Sequence, residues 1–339
     1  MRKQVNLQDS STLTLNNSKN MKTQPKTLKE ELTTIIKPTN KKTCSTSPPN
    51  KGFNPYKTFY DSSNGKYITD VGTHYRPYGS KTVIRKGIKR YCSSNDIRDN
   101  IDDLIESVEL DRAIDWQGSI AGYTRGLKKL YGKSFLITDE PMMIQPEQGK
   151  LPLIESVIKQ AFPEHDERIV FLSWLRDAVR AIRSSHHHPA PMLVMAGERN
   201  AGKSLIASIV QKSLGGRASN PMKTWSGKTI WNDDLLRAEL LLIDDSEAST
   251  DIRARKALGA NFKESIYGGN IKIQTRNRTA MDMRPVWRVM ICCNETPENL
   301  SVIPPLEEGI EDKIILLKVK KIKTPMPAQT TAEKAKFFN

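Results

Sequence analysis

Apolar positions are sparse and without rhythm over residues 1 to about 51, where Ser, Thr, Asn and Lys dominate and Cys44-Ser-Thr-Ser-Pro-Pro-Asn50 closes the stretch. Such a segment cannot bury enough apolar surface to offset its ordering entropy, so a disordered basic tail is expected over 1–51. From Phe53 to about Cys92 short apolar runs alternate with turn residues, as in Phe59-Tyr60-Asp61, Gly65-Lys66-Tyr67-Ile68 and Thr82-Val83-Ile84. That texture predicts a small β-containing module over 52–95. Between about Asp96 and Arg183 the apolar residues return every three or four positions, in Ile101-Leu104-Ile105-Val108 and again in Phe171-Leu172-Leu175-Val179. This is the spacing of one helical face, and it predicts a mainly helical collar over 96–185.

Beyond residue 186 the apolar runs become continuous. Pro191-Met-Leu-Val-Met-Ala196, Leu240-Leu-Leu-Ile243 and Val289-Met-Ile-Cys-Cys293 have no polar alternation, which suits parallel strands buried on both faces, and Leu205-Ile-Ala-Ser-Ile-Val210 has helical character. An α/β core is therefore expected over 186–322, with a central parallel sheet flanked by helices. Residues 323–339 read as a flexible tail.

Composition adds a partner class. The chain has 339 residues, 37% of them apolar, enough for one large or two modest domains. Its formal charge of +15 favours a polyanion, because clustered Lys and Arg gain by displacing counterions from phosphates. Basic and aromatic residues interleave at Tyr75-Arg76-Pro77-Tyr78 and at Lys86, Lys89, Arg90 and Tyr91, as a stacking and phosphate-contacting surface would have them. Ordinary strand composition explains the same aromatics.

Cys44, Cys92, Cys292 and Cys293 show no CxxC spacing, so neither a zinc site nor a disulfide framework is indicated. Consecutive side chains at His186-His187-His188 point in different directions, which disfavours a structural metal site there. There is no apolar run long enough to span a bilayer, and the basic start lacks a following hydrophobic signal region. A soluble, cytoplasmic protein without a membrane partner is expected.

The chemistry concentrates at the ends of the continuous runs. Gly197-Glu198-Arg199-Asn200-Ala201-Gly202-Lys203-Ser204 lies between the expected strand and the expected helix, which is the context a phosphate-binding loop requires. Glycines at 197 and 202 let successive amide N–H groups turn inward at phosphate oxygens, and the helix N-terminus adds positive potential. Lys203 would neutralise the β and γ phosphates of ATP, and Ser204 would ligate Mg²⁺. Such a loop needs carboxylates nearby for the metal and the attacking water. Asp244 and Asp245 end the second run: Asp244 is assigned to Mg²⁺, directly or through water, and Asp245 to polarising the nucleophilic water, with Glu247 a weaker substitute. Asn294 ends the third run, where it can hydrogen-bond both the γ-phosphate and that water. The expected fold class is therefore α/β, a P-loop NTPase (AAA+-like) core preceded by a helical collar and a small β-containing module.

Together, Gly197–Ser204, Leu240–Asp245 and Val289–Asn294 resemble the motifs of superfamily 3 helicases of viruses, phages and plasmids, above all the helicase domains of primase-helicase proteins. The resemblance covers roughly residues 55 to 320 and is strongest from Pro191 to Val319. It implies a further motif between the second and third, a hairpin that grips single-stranded nucleic acid in a central channel. Asn261 to Arg278 corresponds: Gly268-Gly269 would make the turn, and Lys263, Lys272, Arg276 and Arg278 would meet the backbone.

The resemblance further implies a hexameric ring, with ATP bound between copies and an arginine finger supplied by the neighbour. Here the comparable stretch carries Lys313, which brings charge without a bidentate fork, and Arg288 is the alternative. No primase constellation of paired carboxylates and histidine precedes the core, so a separate primase or other replication proteins are expected partners. The implied activity is ATP-driven translocation on, and unwinding of, single-stranded or forked nucleic acid, with DNA preferred, in replication of a mobile element or virus. The competing classes are a non-unwinding P-loop ATPase, a nucleic-acid-binding or loading protein, and a small-molecule P-loop kinase.

Overall fold

The computed structural model describes residues 54–91, 100–244, 252–276, 278–284, 286–304, 309–323, 330 and 332–333. The tail expected over 1–51, most of 323–339, Cys44, Cys92, Asp245 and Glu247 lie outside the described residues. Strands β1 (Thr58–Asp61), β2 (Lys66–Asp70) and β3 (Tyr75–Tyr78) form an antiparallel meander from the aromatic runs. Helices α1 (Lys81–Tyr91) and α2 (Ile101–Asp111) follow, and β4 (Ala113–Ile114) then adds to β1 in parallel, giving the order β3-β2-β1-β4.

Period-two alternation sorts the two faces of this sheet. Tyr60, Tyr67 and Tyr78 pack against α1 and α2, whereas Ile68 and Ile114 meet Leu136 on the other side. The run Thr82-Val83-Ile84 reads locally as a strand but lies in α1. Ile84 and Ile88, four positions apart, bury one helical face against Ile101, Ile105 and Val108, and that tertiary contact outweighs the β-branched local preference.

Residues 113–137, where periodicity gives only helix, hold strands instead. After β4 come β5 (Trp116–Gly118), β6 (Gly126–Leu130) and β7 (Lys133–Ile137), in the order β5-β7-β6. Tyr131 and Gly132 join β6 to β7 with φ of 52° and 74°, and two consecutive positive φ values are what a two-residue hairpin turn of right-handed strands needs. Helices α3 (Pro152–Ala161) and α4 (His165–Ser184) then lead to the core.

The core runs through β8 (Met192–Gly197), α5 (Lys203–Ser213), β9 (Ala218–Ser219), α6 (Met222–Trp225), α7 (Asp233–Leu236), β10 (Leu240–Asp244) and α8 (Ile252–Tyr267). The β11 (Ile271–Ile273) and β12 (Met281–Met283) hairpin follows, then β13 (Arg288–Asn294), α9 (Pro297–Leu300) and β14 (Ile314–Lys318). Five strands make an all-parallel sheet in the order β14-β8-β13-β10-β9.

Both faces of this sheet are covered, which is why its strands read as unbroken apolar runs. Leu193, Met195, Met290 and Cys292 face Phe171, Trp174, Ile206 and Val210 on one side, while Val194, Ile243, Ile291 and Cys293 face Trp225, Leu258, Phe262 and Ile266 on the other. Each such large side chain stabilises the fold by roughly 1.5–3 kcal/mol relative to exposure. The result is a mixed α/β fold with a parallel sheet flanked by helices.

One buried ion pair fastens the residue 120 region to this sheet. Glu239 is fully buried just before β10 and accepts hydrogen bonds from the Gly122 amide at 3.0 Å and from Arg217 Nε at 2.9 Å, with a second, shorter contact from Arg217 Nη2. Arg217 also donates to the Asp139 carbonyl at 3.2 Å. Among the described residues no helix is long and apolar enough to cross a membrane.

Candidate functional site

Parallel strands deliver their carboxyl ends to one edge, and in this sheet that edge collects Gly197 of β8, Asp244 of β10, Asn294 of β13 and Lys318 of β14. Asn294 is the direct register partner of Gly197, and Lys318 that of Ala196. Crevices outside such strand ends are where open α/β sheets hold ligands. The glycine loop departs from β8 here. Asn200 and Gly202 take positive φ of 60° and 104°, and the Gly202 carbonyl accepts the first amides of α5 from Leu205 at 3.1 Å and Ile206 at 3.2 Å.

Lys203 is 6% exposed, and its ammonium sits inside the loop. It donates to the carbonyls of Gly197 at 2.9 Å and Glu198 at 2.8 Å and to Asn294 Oδ1 at 3.0 Å. Three donors meet three acceptors, so the buried charge is fully hydrogen-bonded. The exposed Ser204 hydroxyl donates to Asp244 Oδ2 at 3.1 Å. Lys203, Ser204, Asp244 and Asn294, separated by up to 91 positions, thus form one connected cluster. Glu198, Arg199 and Asn200 are exposed along its rim, Ala201 is buried beneath it, and Asp245 lies outside the described residues.

Two features of this edge were not read from the sequence. Glu295 and Lys318 form an ion pair of 2.7 Å, and the Lys318 hydrogen bond, assisted by Lys320 and Lys203, holds the Glu295 carboxyl below its ordinary range. The segment after β14 also closes over the outside of the loop: Val319 N donates to the Ala196 carbonyl at 2.8 Å and Ile322 N to the Ala201 carbonyl at 3.0 Å. A Cβ on Gly197 would lie 2.6 Å from the Val319 carbonyl oxygen, and one on Gly202 would lie 2.7 Å from Ile322 Cδ1. Gly197 is thus required by backbone packing, whereas Gly202 is required chiefly by its φ of 104°. The apolar run Ile314 to Val319 with Ile322 beyond it was the available signal.

Lys313 and Arg288 lie at the opposite edge. Ile314 pairs with Met192, five positions before Gly197, so Lys313, one residue earlier still, begins about 20 Å from the loop at roughly 3.3 Å per residue. Its ammonium is held by Asp312 at 2.8 Å and stands 4.9 Å above the Tyr267 ring. Lys313, and more weakly Lys263 of α8, hold the Asp312 carboxyl below its ordinary range.

Arg288 corrects the alternative. It is buried at the start of β13, donating to the carbonyls of His188, Trp287 and Asp177, and burial draws its pKa down to about 10. A side chain enclosed in this way cannot reach into a neighbour's site.

The hairpin also differs from its sequence reading. Gly268 and Gly269 form the exit from α8, and the hairpin turns between β11 and β12, where residues 274–276 and 278–280 are described. Ile273, Met281 and Met283 are buried against Trp116, Ile120, Phe135 and Ile137, so the β-ribbon is packed on the β5-β7-β6 sheet. Lys272 is exposed on β11 across from Asp282, and Arg276 is exposed on the loop. Arg278 is engaged instead in a buried ion pair of 2.9 Å with Asp61, 217 positions earlier, a partner that no local pattern announces. Among the described residues no group of three or more His, Cys, Asp or Glu side chains comes together as a metal site.

A family of unknown function (DUF5906) matches residues 195–304, the span from the end of β8 past β13. No curated protein matches. Among solved structures, the apo structure of the NrS-1 C-terminal region is similar over 83% of this chain, with a TM-score of 0.57 and 13% identity. Its A form gives a TM-score of 0.56, also at 13% identity and 83% coverage. The present chain spans 63% of that region's length. A JCV helicase structure is more distant, with a TM-score of 0.33 and 9% identity over 50% of this chain and 44% of that one. The likeness to the NrS-1 region is one of fold.

Proposed function

We propose that this chain is an ATP-hydrolysing motor of superfamily 3 helicase type, acting on single-stranded or forked DNA. The observation that carries the reading is the joining of Lys203 to Asn294 and of Ser204 to Asp244 at the carboxyl edge of an all-parallel sheet. Glycine loop, acid and amide are three separate requirements of nucleotide hydrolysis, and here they meet at one place.

In this reading the loop 197–204 holds the phosphates of ATP, with Lys203 exchanging its carbonyl partners for phosphate oxygens. Ser204 and Asp244 would hold Mg²⁺, which would supply charge neutralisation at the phosphates. A hydroxyl and one carboxylate are a fitting donor set, because this ion keeps several waters and takes its remaining ligands from phosphate. Asn294 orients the terminal phosphate and the attacking water, and Asp245 polarises that water. Lys313, remote from its own loop, serves only if a neighbouring copy in a ring presents it. Lys263, Lys272 and Arg276 supply cations to the strand.

The test is phosphate release with and without single-stranded DNA, alongside strand separation on forked DNA and RNA. Stimulated hydrolysis with unwinding is expected, lost in Lys203→Ala. Hydrolysis absent from the unaltered chain would sink the assignment. The packing of the ribbon against the β5-β7-β6 sheet favours a second reading, a DNA-stimulated ATPase that loads or remodels without unwinding. Stimulated hydrolysis with no strand separation selects it.

A further inference from the structure

Gln274 and Arg278, between β11 and β12, are each held by a buried polar side chain from elsewhere in the chain. On the core side stands Asn232, itself 9% exposed. Its Nδ2 donates to the Lys272 carbonyl at 3.0 Å, its Oδ1 accepts from Gln274 N at 2.7 Å, and its own amide donates to the Gln274 carbonyl at 3.2 Å. Asn232 thereby pairs with the outer edge of β11 as a short strand would. It immediately precedes α7, whose Leu236 packs against Ile273, Met281 and Met283, and after three intervening residues begins β10, the strand that ends at Asp244.

On the other side stands Asp61, fully buried at the end of β1. It accepts from Ser63 N at 3.1 Å, Ser63 Oγ at 2.5 Å and Asn64 Nδ2 at 2.9 Å, so its carboxylate is fixed by its own turn before Arg278 arrives. Arg278 then adds the ion pair, with its side chain 15% exposed. Further along the ribbon, Arg284 N donates to the Tyr131 hydroxyl at 3.2 Å. Drawing this cation away to a phosphate would leave the buried Asp61 carboxylate without its counter-charge, held only by the neutral donors of Ser63 and Asn64.

We propose that Arg278 is a positioning residue, not a nucleic-acid contact. Its pairing with Asp61 anchors the loop to the first sheet, so that strand binding at Arg276 and Lys272 is transmitted through Asn232, α7 and β10 to Asp244. This rests on the reading of the chain as a DNA-stimulated ATPase. The anchor makes the response to DNA depend on a residue of β1 that lies 217 positions before Arg278 in the chain.

The test uses the full chain with a fluorescein-labelled oligothymidylate and ATP, comparing Asp61→Asn, Arg278→Gln and the double variant. Hydrogen exchange of the peptide 271–283 supplies a readout independent of activity. Asp61→Asn is expected to keep basal hydrolysis within about twofold and to lower maximal DNA stimulation at least fivefold. Arg278→Gln should match it, and the double variant should be no worse than either single, because one contact is removed in all three. Exchange in 271–283 should rise at least tenfold in each. If Asp61→Asn proves too unstable by thermal melting, Arg278→Gln carries the comparison through exchange and stimulation.

Unaltered exchange together with weakened oligonucleotide binding in Arg278→Gln would overturn the proposal and return Arg278 to the strand. Raised exchange in a chain whose unaltered form hydrolyses no ATP would leave the anchor standing and remove the motor reading, and with it the proposed transmission.

Discussion

Asn294 stands directly opposite Gly197 in the parallel pairing of β13 with β8, and its amide oxygen accepts a 3.0 Å hydrogen bond from the Lys203 ammonium. The register of two strands therefore fixes a contact between a strand end and the first turn of α5. A shift of one residue would send Asn294 to the other face of the sheet.

Removal of the ammonium should separate hydrolysis from folding. Lys203→Ala deletes a buried charge whose partners are two backbone carbonyls and one amide, groups that water can satisfy at this edge. Hydrolysis is expected to fall at least about 100-fold, in line with the loss of one preorganised charge at a reacting phosphate. Phosphate release, with thermal melting as the control, checks this.

Asn294→Ala should act on turnover more than on binding. The loop keeps its backbone donors, while the group that the proposed mechanism directs at the terminal phosphate is lost. A fall in kcat of about tenfold to a hundredfold with KM changed less than threefold is the expected split. Steady-state kinetics with nucleotide titration decide it, and a change confined to KM would contradict the assigned role.

The two loop glycines should differ in their rescue. Gly202→Ala meets Ile322 Cδ1 at 2.7 Å and also a φ of 104°, so trimming Ile322 to Ala relieves only the clash. The backbone strain that persists is about 1–2 kcal/mol. Gly197→Ala meets the Val319 carbonyl, which no side-chain change removes. Melting of Gly202→Ala alone and combined with Ile322→Ala should show partial recovery, well short of the unaltered chain.

Breaking the Arg217 and Glu239 pair from one side should be costly. Glu239 is fully buried, so Glu239→Ala strands a largely enclosed guanidinium and also frees the Gly122 amide. A loss of about 3–5 kcal/mol is expected in urea unfolding. A loss below 1 kcal/mol would mean that water replaces the carboxylate.

Alkaline pH should weaken the fold through Cys293. Burial raises its thiol pKa from 9.0 to about 11, so the unfolded chain releases this proton first. The contribution is constant below pH 9 and stability declines as pH rises from about 9 towards about 11, by up to roughly 1.4 kcal/mol per unit. The decline should disappear in Cys293→Ala, which unfolding curves at pH 8 and 10 would reveal. Thiol reagents at pH 8 should leave Cys292 and Cys293 unmodified in the folded chain, both being buried.

The sequence by itself determined the central sheet, because strands buried on both faces must be apolar at every position, and such runs are recognisable without knowing what covers them. It also determined the candidate cluster. Gly197, Asp244 and Asn294 each end one of those runs, and parallel strands bring ends of the same sense to one edge.

Tertiary structure alone decided the rest. Thr82-Val83-Ile84 became helical because α2 offered Ile84 and Ile88 a common surface, and 113–137 became strands through pairings between positions whose local pattern is ambiguous. Arg278 looks the same as Arg276 in the sequence, two basic residues on one loop. What separates them is Asp61, 217 positions away, and a contact that distant leaves no periodicity, spacing or local propensity to read.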